Sequence, residues 1–236
     1  SGRHISRKFT ITNSGSNSTQ VSIAETSTAM AGSKFGIDMH HHRSTIVEAL
    51  NTHPWLRGVH VHVGSQGCGL ELLRAGVGVA VDLVETVRSG GKQVDWIDIG
   101  GGLPVAYRED DVVPDHAEYA AELRESWPRL FDASSRIVTE FGRSLLAPVG
   151  WAVSRVEVTK MSGERRIAVI HLGADLLLRT AYRPEQWYHG LRVYDAHGRP
   201  KTGPLEAWDV AGPLCFSGDL LARGRRLPPI EPGDWI

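Results

Sequence analysis

The stretch Val94-Asp95-Trp96-Ile97-Asp98-Ile99-Gly100-Gly101-Gly102 decides the fold, because an apolar run leads directly into three consecutive glycines. The first six of these residues predict a strand, and the glycines predict a tight loop where that strand ends. A long helix is predicted before it over 70–88, with the pair Gly90-Gly91 as its stop signal. Another strand is predicted before that helix, over 58–63. Two strands joined by a helix form a β-α unit and indicate a parallel sheet.

Shorter elements of the same kinds fill the rest of the first 148 residues. Ser44 and Asp115 are the N-caps that we expect for two of the helices. The alternation of strands and helices predicts an α/β fold with parallel strands, in which ligand sites form where the strands end. Strands and helices are predicted over 7–13, 44–50, 115–130, 137–140 and from 144 onwards, with a polar loop over 13–33.

The number of predicted β-α units is too small for a closed barrel. A (β/α)8 TIM-type barrel needs roughly 200 residues or more, whereas four strand–helix units are predicted over residues 1–148. Four parallel strands alone would leave two bare edges and an uncovered apolar face. We therefore expect this chain to hold the second half of a barrel, with the other half missing from it or supplied from elsewhere.

Residues 149–236 follow a different pattern. Short alternating runs over 153–158 and 166–170 predict strands, and proline and glycine become frequent after them. These features predict a β-rich C-terminal domain, a sandwich or small barrel with antiparallel connections. The chain is thus expected to contain two domains, over 1–148 and 149–236.

Composition narrows the classes of function. The 236 residues are 41% hydrophobic and 22% charged with a net charge of −1, so nothing in the charge indicates a nucleic-acid or anionic-membrane surface. No apolar run approaches the roughly 20 residues of a membrane span, and no signal peptide is visible. The two cysteines lie far apart in the sequence and form no disulfide framework. A reducing compartment, the cytoplasm, is therefore expected.

Four motifs stand at or near the ends of predicted strands. Together they supply an aromatic-type ring, a hydroxyl group, a glycine loop, a carboxylate, a guanidinium and a thiol. This inventory suits a planar, phosphorylated, cationic cofactor that carries an amino acid. The motifs are residues 60–65 (His-Val-His-Val-Gly-Ser), 97–102 (Ile-Asp-Ile-Gly-Gly-Gly), 140–143 (Glu-Phe-Gly-Arg) and 212–219 (Gly-Pro-Leu-Cys-Phe-Ser-Gly-Asp).

Taken singly, these motifs leave alternatives open. The three glycines fit a phosphate-binding loop or a tight turn that needs positive φ. His60 and His62 lie two apart on a strand and share a face, which supplies half of a zinc site. No convincing further ligands are evident, and a buried structural histidine is the alternative. Cys215 is either a proton donor, since a free thiol ordinarily keeps its proton at neutral pH, or a small buried hydrophobe.

In this order, the motifs resemble those of the pyridoxal-phosphate decarboxylases with an alanine-racemase-like barrel. The resemblance is strongest to the diaminopimelate decarboxylases and weaker to the ornithine and arginine decarboxylases. It implies pyridoxal 5'-phosphate as cofactor, an amino acid as substrate, and a homodimer whose active sites are shared between subunits. The matching stretches are residues 33–36, 62–66, 100–103, 140–143, 212–219 and 233–235.

The resemblance also implies roles for individual residues. His62 would stack on the cofactor ring, Glu140 would keep the pyridine nitrogen protonated, and Cys215 would return a proton to the α-carbon. Arg143, Arg179 and Tyr182 would bind the substrate. The residues implied in cofactor binding are His62, Ser65, Gly100, Gly101, Gly102, Glu140, Phe141, Gly142 and Arg143, with no metal ligands.

Departures from the family pattern bear on the substrate. Phe216 follows the cysteine where the diaminopimelate enzymes have a glutamate that contacts the distal amino group, so a different, less polar amino acid is expected. Phe141 stands where the family has a proline. None of the lysines matches the lysine that carries the cofactor, which the family places before residue 5. A racemase or epimerase on the same scaffold and a non-catalytic homologue are the alternatives.

Overall fold

The computed structural model describes residues 8–12, 33–66 and 68–236, the first of these segments as backbone alone. The chain divides into two compact units. One consists of Ser1–Val105 with Val112–Val149, and the other of Ala106–Asp111 with Gly150–Ile236. The second unit is therefore discontinuous in sequence, because six of its residues lie inside the span of the first. Apart from Ser33, the predicted loop over 13–33 lies outside the described residues.

The first unit contains a five-stranded sheet in which every pairing is parallel. The strand order is β2-β1-β3-β4-β5, as the predicted β-α units require. Neighbouring carboxyl ends therefore meet at one edge of the sheet. The strands are β1 (Lys8–Thr12), β2 (Ile37–Asp38), β3 (Gly58–Val61), β4 (Trp96–Asp98) and β5 (Arg136–Val138).

Helices connect these strands. They are α1 (Met39–Thr52), α2 (Leu70–Ser89), α3 (His116–Ser126) and α4 (Arg143–Leu146), with 3-10 turns at Pro128–Phe131 and Ala147–Val149. The core forms mainly between α1, α2 and the central strands, and its fully buried side chains include Ile46, Leu50, Val59, Val61, Leu73, Val77, Leu83, Val84 and Val87. Each buried Val, Leu or Ile contributes about 1.5–3 kcal/mol. Among the described residues, no helix has the length and apolar character that a membrane crossing requires.

Capping explains where the predicted helix ends are right and where they are wrong. Asp115 caps α3 with a full capping box, and α2 ends at Gly90 as predicted. Helix α1 begins five residues before Ser44, because the Asp38 carboxylate accepts the His40 amide and caps the helix there. Helix α3 ends at Ser126, because Pro128 lacks an amide hydrogen and starts a separate 3-10 turn.

The second unit contains a four-stranded mixed sheet in the order β6-β7-β8-β9. The predicted antiparallel connections are found for β6–β7 and β8–β9, but the prediction is wrong for β7–β8, which are parallel. The long connection between them, which includes α5 (Leu178–Tyr182), lets the chain return to the same end of the sheet. The strands are β6 (Val156–Ser162), β7 (Arg165–Ile170), β8 (Glu206–Ala211) and β9 (Leu220–Leu227).

Aromatic stacking explains why residues 106–111 belong to the second unit. The ring of Tyr188 lies against two guanidinium groups, those of Arg225 at 3.9 Å and Arg108 at 4.5 Å from its centroid. Tyr107 makes edge contacts with Trp187 and His189, at centroid distances of 6.0 and 5.8 Å. Cation–π and edge-to-face contacts of this kind contribute about 0.5–2 kcal/mol each. They attach this short segment to the β-rich unit.

Candidate active site

The carboxyl ends of β3, β4 and β5 lie side by side and carry three of the predicted motifs. The register pairs His60 with Asp98 and Asp98 with Val138. Beyond the strands, the Glu140 amide donates to the Gly100 carbonyl at 2.7 Å. The two histidines, the three glycines and the glutamate therefore come from adjacent strands of one sheet.

His60, His62 and Glu140 form a compact group. Glu140 Oε2 lies 3.4 Å from His60 Nε2 and 3.9 Å from His62 Nδ1. The side chain of His60 is 12% exposed, that of His62 29% and that of Glu140 42%. Exposure to solvent therefore increases from His60 through His62 to Glu140. A ligand at this edge of the sheet would meet the His62 ring and the Glu140 carboxylate together.

The glycine loop runs against backbone on both sides. A Cβ atom at Gly100 would lie 2.5 Å from the Val61 carbonyl oxygen, and one at Gly101 would lie 2.6 Å from that of Glu140. At Gly102 it would lie 2.4 Å from the Gly64 carbonyl oxygen, and φ there is +100°. Larger residues cannot enter without moving the backbone, so the three glycines let the loop pass between the ends of its neighbouring strands.

Hydrogen bonds decide which glycine amides can face a ligand. The Gly100 amide donates to Asp98 Oδ1 at 3.0 Å, and the Gly101 amide donates to His62 Nδ1 at 3.3 Å. The Gly102 amide is the one of the three that donates no hydrogen bond within the described part of the chain. A phosphate group would therefore meet the amide of Gly102 rather than a row of three amides.

Asp98 is a site residue that the sequence analysis did not single out. Its carboxylate is 2% exposed and holds the first amide of the glycine loop. The signal was present in the sequence, because an aspartate between two isoleucines in a predicted strand is a buried charge that needs a partner. The bond from the Gly101 amide also orients His62, since Nδ1 accepts it and the neutral ring then carries its proton on Nε2.

Gly102→Ala is expected to destabilise the first unit and weaken cofactor binding. The positive φ costs about 1–3 kcal/mol in backbone strain, and the approach to the Gly64 carbonyl oxygen adds to it. Urea denaturation measures the loss. Gly142→Ala is the matched control for stability, since a Cβ there meets nothing within 4 Å. Equal stability of the two variants would show that the loop does not need glycine at 102.

The remaining predicted residues of the first unit flank this group. The Ser65 carbonyl accepts the Cys68 amide at 3.3 Å, and Ser65 itself is half-buried. The Phe141 ring packs edge-on against His116 and Tyr119 of α3, at centroid distances of 5.0 and 6.1 Å. Gly142 and Arg143 begin α4, which has Gly142 as its N-cap. Phe141 thus packs its ring on a helix, and the structure provides no direct indication of a ligand contact for it.

The predicted cysteine loop lies in the second unit, built around the buried carboxylate of Asp219. This carboxylate accepts the amides of Ala174 at 2.6 Å and Leu214 at 2.8 Å. The Asp219 carbonyl also accepts the Gly212 amide at 2.9 Å. Cys215 is exposed at the tip of the loop. Asp219 therefore has a structural role in the loop, and the loop presents the thiol to solvent.

Arg179 and Tyr182 also belong to the second unit, on α5. The Arg179 guanidinium lies 4.4 Å from the Trp187 ring centroid, and Tyr182 is 69% exposed beside Arg183. His62, the glycine loop, Glu140 and Arg143 lie in the first unit, and Cys215, Arg179 and Tyr182 in the second. The predicted residues are thus divided between the two units.

Lys201 shows why a lysine of the second unit is a poor carrier for a carbonyl cofactor. Burial alone would lower its pKa, but hydrogen bonds to Asp234 at 2.7 Å and Glu231 at 3.3 Å outweigh it and raise the pKa. An amine that forms a Schiff base needs a lowered pKa, so that it can lose its proton. Lys201 stays protonated and acts in an ion-pair cluster.

Comparison with known protein families identifies the family of the chain that carries this site. The family model described as pyridoxal-dependent decarboxylase, pyridoxal binding domain, matches residues 12–147. The chain belongs to the pyridoxal-dependent decarboxylases. Its histidine pair, glycine loop and Glu140 lie inside the matched region. Pyridoxal phosphate is the cofactor that membership implies, and the donor set fits it: a ring, a carboxylate and the amide of a tight glycine loop.

Its relatives include diaminopimelate decarboxylases. That of Aquifex aeolicus is 28% identical over 210 residues, which cover 89% of this chain and 48% of the relative. That of Pseudomonas aeruginosa is 31% identical over 211 residues, with 89% and 48% coverage. A crystal structure of the M. jannaschii diaminopimelate decarboxylase in complex with L-lysine has a TM-score of 0.80 at 25% identity, covering 97% of this chain and 51% of that one. The chain spans about half the length of these relatives.

Proposed function

We propose that this protein catalyses the pyridoxal-phosphate-dependent decarboxylation of an amino acid. The observation that carries the proposal is the convergence of His62, the glycine loop and Glu140 at the ends of three adjacent parallel strands. Family membership and the diaminopimelate decarboxylase relatives support it. Ligand sites of parallel α/β folds are found at this position.

Residues of the first unit hold and polarise the cofactor in this proposal. Pyridoxal phosphate, when bound, supplies an electron sink for the charge that develops at the substrate α-carbon. The Glu140 carboxylate keeps a proton on the pyridine nitrogen, and the His62 ring stacks on the heterocycle. The Gly102 amide and the Ser65 hydroxyl bind the phosphate. Arg143 binds a carboxylate, which suits the planar fork of its guanidinium.

The cysteine loop of the second unit acts on the substrate in a neighbouring subunit. Cys215 stands on a rigid exposed loop, and its thiol holds a proton for the α-carbon after carbon dioxide leaves. Arg179 and Tyr182 contact the substrate from the same unit. A thiol that points into solvent gains this role when a second copy of the chain meets the loop, so the proposal includes a homodimer with shared active sites.

Phe216 argues for a substrate with a less polar side chain than diaminopimelate. It directly follows Cys215 and is 55% exposed, so its ring is presented together with the thiol. A phenyl ring offers a distal ammonium group a cation–π contact but no charged hydrogen bond. We propose a different amino acid as the preferred substrate, although named relatives are diaminopimelate decarboxylases.

We also propose that the parallel sheet is part of a (β/α)8 barrel, followed by the β-rich domain. Within the described residues β2 and β5 are edge strands, and further parallel strands on these edges would complete a barrel. The TM-score of 0.80 with a diaminopimelate decarboxylase supports this architecture. The two free cysteines, Cys68 and Cys215, support a reducing, cytoplasmic location.

The experiment uses the full-length gene product with added pyridoxal phosphate and a panel of amino acids. We expect carbon dioxide release from at least one of them, fastest for one whose side chain lacks a distal amino group. Release from none, with cofactor bound, contradicts the proposal. Deuterium from solvent at the α-carbon without carbon dioxide release identifies a racemase or epimerase instead. Failure of borohydride to attach the cofactor to a lysine identifies a non-catalytic homologue that lacks this lysine.

A further inference from the structure

The histidine pair and Glu140 form a second kind of binding site. Two imidazole nitrogens and one carboxylate oxygen, one from each of His60, His62 and Glu140, all lie within 4.8 Å of one another. Two of these separations are 3.4 and 3.9 Å. Ligands held about 2.0–2.2 Å from a tetrahedral zinc ion lie about 3.3–3.6 Å apart. The two contacts of Glu140 therefore need to shorten by a few tenths of an ångström at most, and the two imidazole nitrogens by up to about 1.5 Å, for the group to surround an ion.

We propose that His60, His62 and Glu140 bind a divalent ion of the zinc type. Two imidazoles and one carboxylate are a known ligand set for zinc, in sites where water takes the fourth position. Imidazole ligands favour zinc, copper or nickel over magnesium and calcium, which take oxygen ligands. Glu140 is 42% exposed, so water can reach the open position and complete the coordination.

The backbone prepares the two histidines for this role. They occupy alternate positions at the end of β3 and therefore face the same side of the sheet. The Gly101 amide donates to His62 Nδ1, so this nitrogen carries a lone pair rather than a proton. At 3.3 Å that hydrogen bond is long and inexpensive to give up. The sequence shows two ligands of the site, and the third, Glu140, follows β5, the strand on the other side of β4.

Ion and cofactor would exclude each other. His62 and Glu140 are the residues that the proposed function assigns to the pyridoxal ring, so only one ligand can occupy them at a time. A zinc-type ion would then act as an inhibitor that competes with pyridoxal phosphate. This competition rests on the proposed function, whereas binding of the ion does not.

The test is titration of Zn²⁺ into the cofactor-free full-length protein, followed by calorimetry. One ion is expected per chain at this site, with a Kd of about 1 µM or lower, and Co²⁺ is expected to give the visible absorption of a low-symmetry site. His60→Asn and Glu140→Gln should each weaken binding at least tenfold, since even outer partners of metal ligands alter affinity by about 10–100-fold. Thermal melting shows whether each variant is folded, and the partly exposed Glu140 is the safer site if His60→Asn unfolds.

A second histidine cluster supplies the matched control. His40, His41 and His42 lie at the start of α1, where an exposed run of histidines can take up ions unspecifically. His41→Asn should leave the tight site intact. Loss of binding in His41→Asn but not in His60→Asn overturns the proposal, as does the absence of tight binding in the unaltered protein.

Addition of pyridoxal phosphate separates the two proposals. Displacement of zinc by the cofactor supports both of them. Tight zinc binding in a protein that takes up no cofactor supports the metal site and contradicts the proposed function. Simultaneous tight binding of both ligands removes His62 and Glu140 from the pyridoxal site if His60→Asn abolishes the zinc binding, and overturns the metal site if it does not.

Discussion

Glu140→Gln is expected to lower kcat for decarboxylation by about 100-fold or more, the range for removal of one preorganised charge-stabilising group. Glutamine has nearly the same shape and fills the same position beside His60 and His62. It carries no negative charge, so it cannot keep a proton on the pyridine nitrogen. The side chain is 42% exposed, so this change should leave folding almost unaffected.

The measurement is the steady-state rate of carbon dioxide release at saturating cofactor, with the absorption of bound pyridoxal phosphate recorded beside it. Glu85→Gln is the matched control, because Glu85 is a surface partner of Arg129 in the same unit and outside the site. It should retain full activity. A Glu140→Gln enzyme within twofold of the unaltered rate would remove Glu140 from its proposed role.

Cys215→Ser is expected to lower kcat by about 10²–10⁴-fold, the contribution of a positioned proton donor. The thiol and the hydroxyl are similar in size, but a serine hydroxyl is a far weaker acid than a thiol and gives up its proton less readily. Because the loop is held by Asp219 through the Ala174 and Leu214 amides, the substitution should leave its conformation unchanged.

Two readouts distinguish loss of the proton donor from loss of structure. In deuterated water the unaltered enzyme should place deuterium on one face of the α-carbon, whereas Cys215→Ser should place it on both, since solvent then supplies the proton. Cys68→Ala is the control, because Cys68 is buried in the first core. It should lower Tm and leave kcat nearly constant. Full activity and stereospecificity in Cys215→Ser would show that another group delivers the proton.

The sequence was sufficient where a local pattern determines a local structure. The glycine pair after α2, the aspartate before α3 and the spacing of the β-α units all predict their elements because each depends on a few neighbouring residues. The same holds for the edge that unites His62, the glycine loop and Glu140, since parallel strands bring their carboxyl ends together.

Features that depend on distant partners could not be predicted in this way. Whether the Gly101 amide faces a ligand depends on a ring nitrogen of His62, which follows a different strand and is 39 residues away. The parallel pairing of β7 with β8 depends on the path of a long connection rather than on the alternation within either strand. The third ligand of the proposed metal site, Glu140, follows β5, and the pairing of β5 with β4 joins residues that are distant in the sequence.

Because the second unit is discontinuous in sequence, its two segments are synthesised at different times. Tyr107 and Arg108 leave the ribosome early. The rest of the parallel-sheet unit is synthesised next, and Tyr188 and Arg225, which form the cation–π stack with Arg108, are synthesised after it. During that interval residues 106–111 lack the side chains that they contact in the folded second unit. If the chain were divided at residue 149 for expression, residues 106–111 would be separated from the rest of the second unit. The two parts should therefore be produced as one polypeptide.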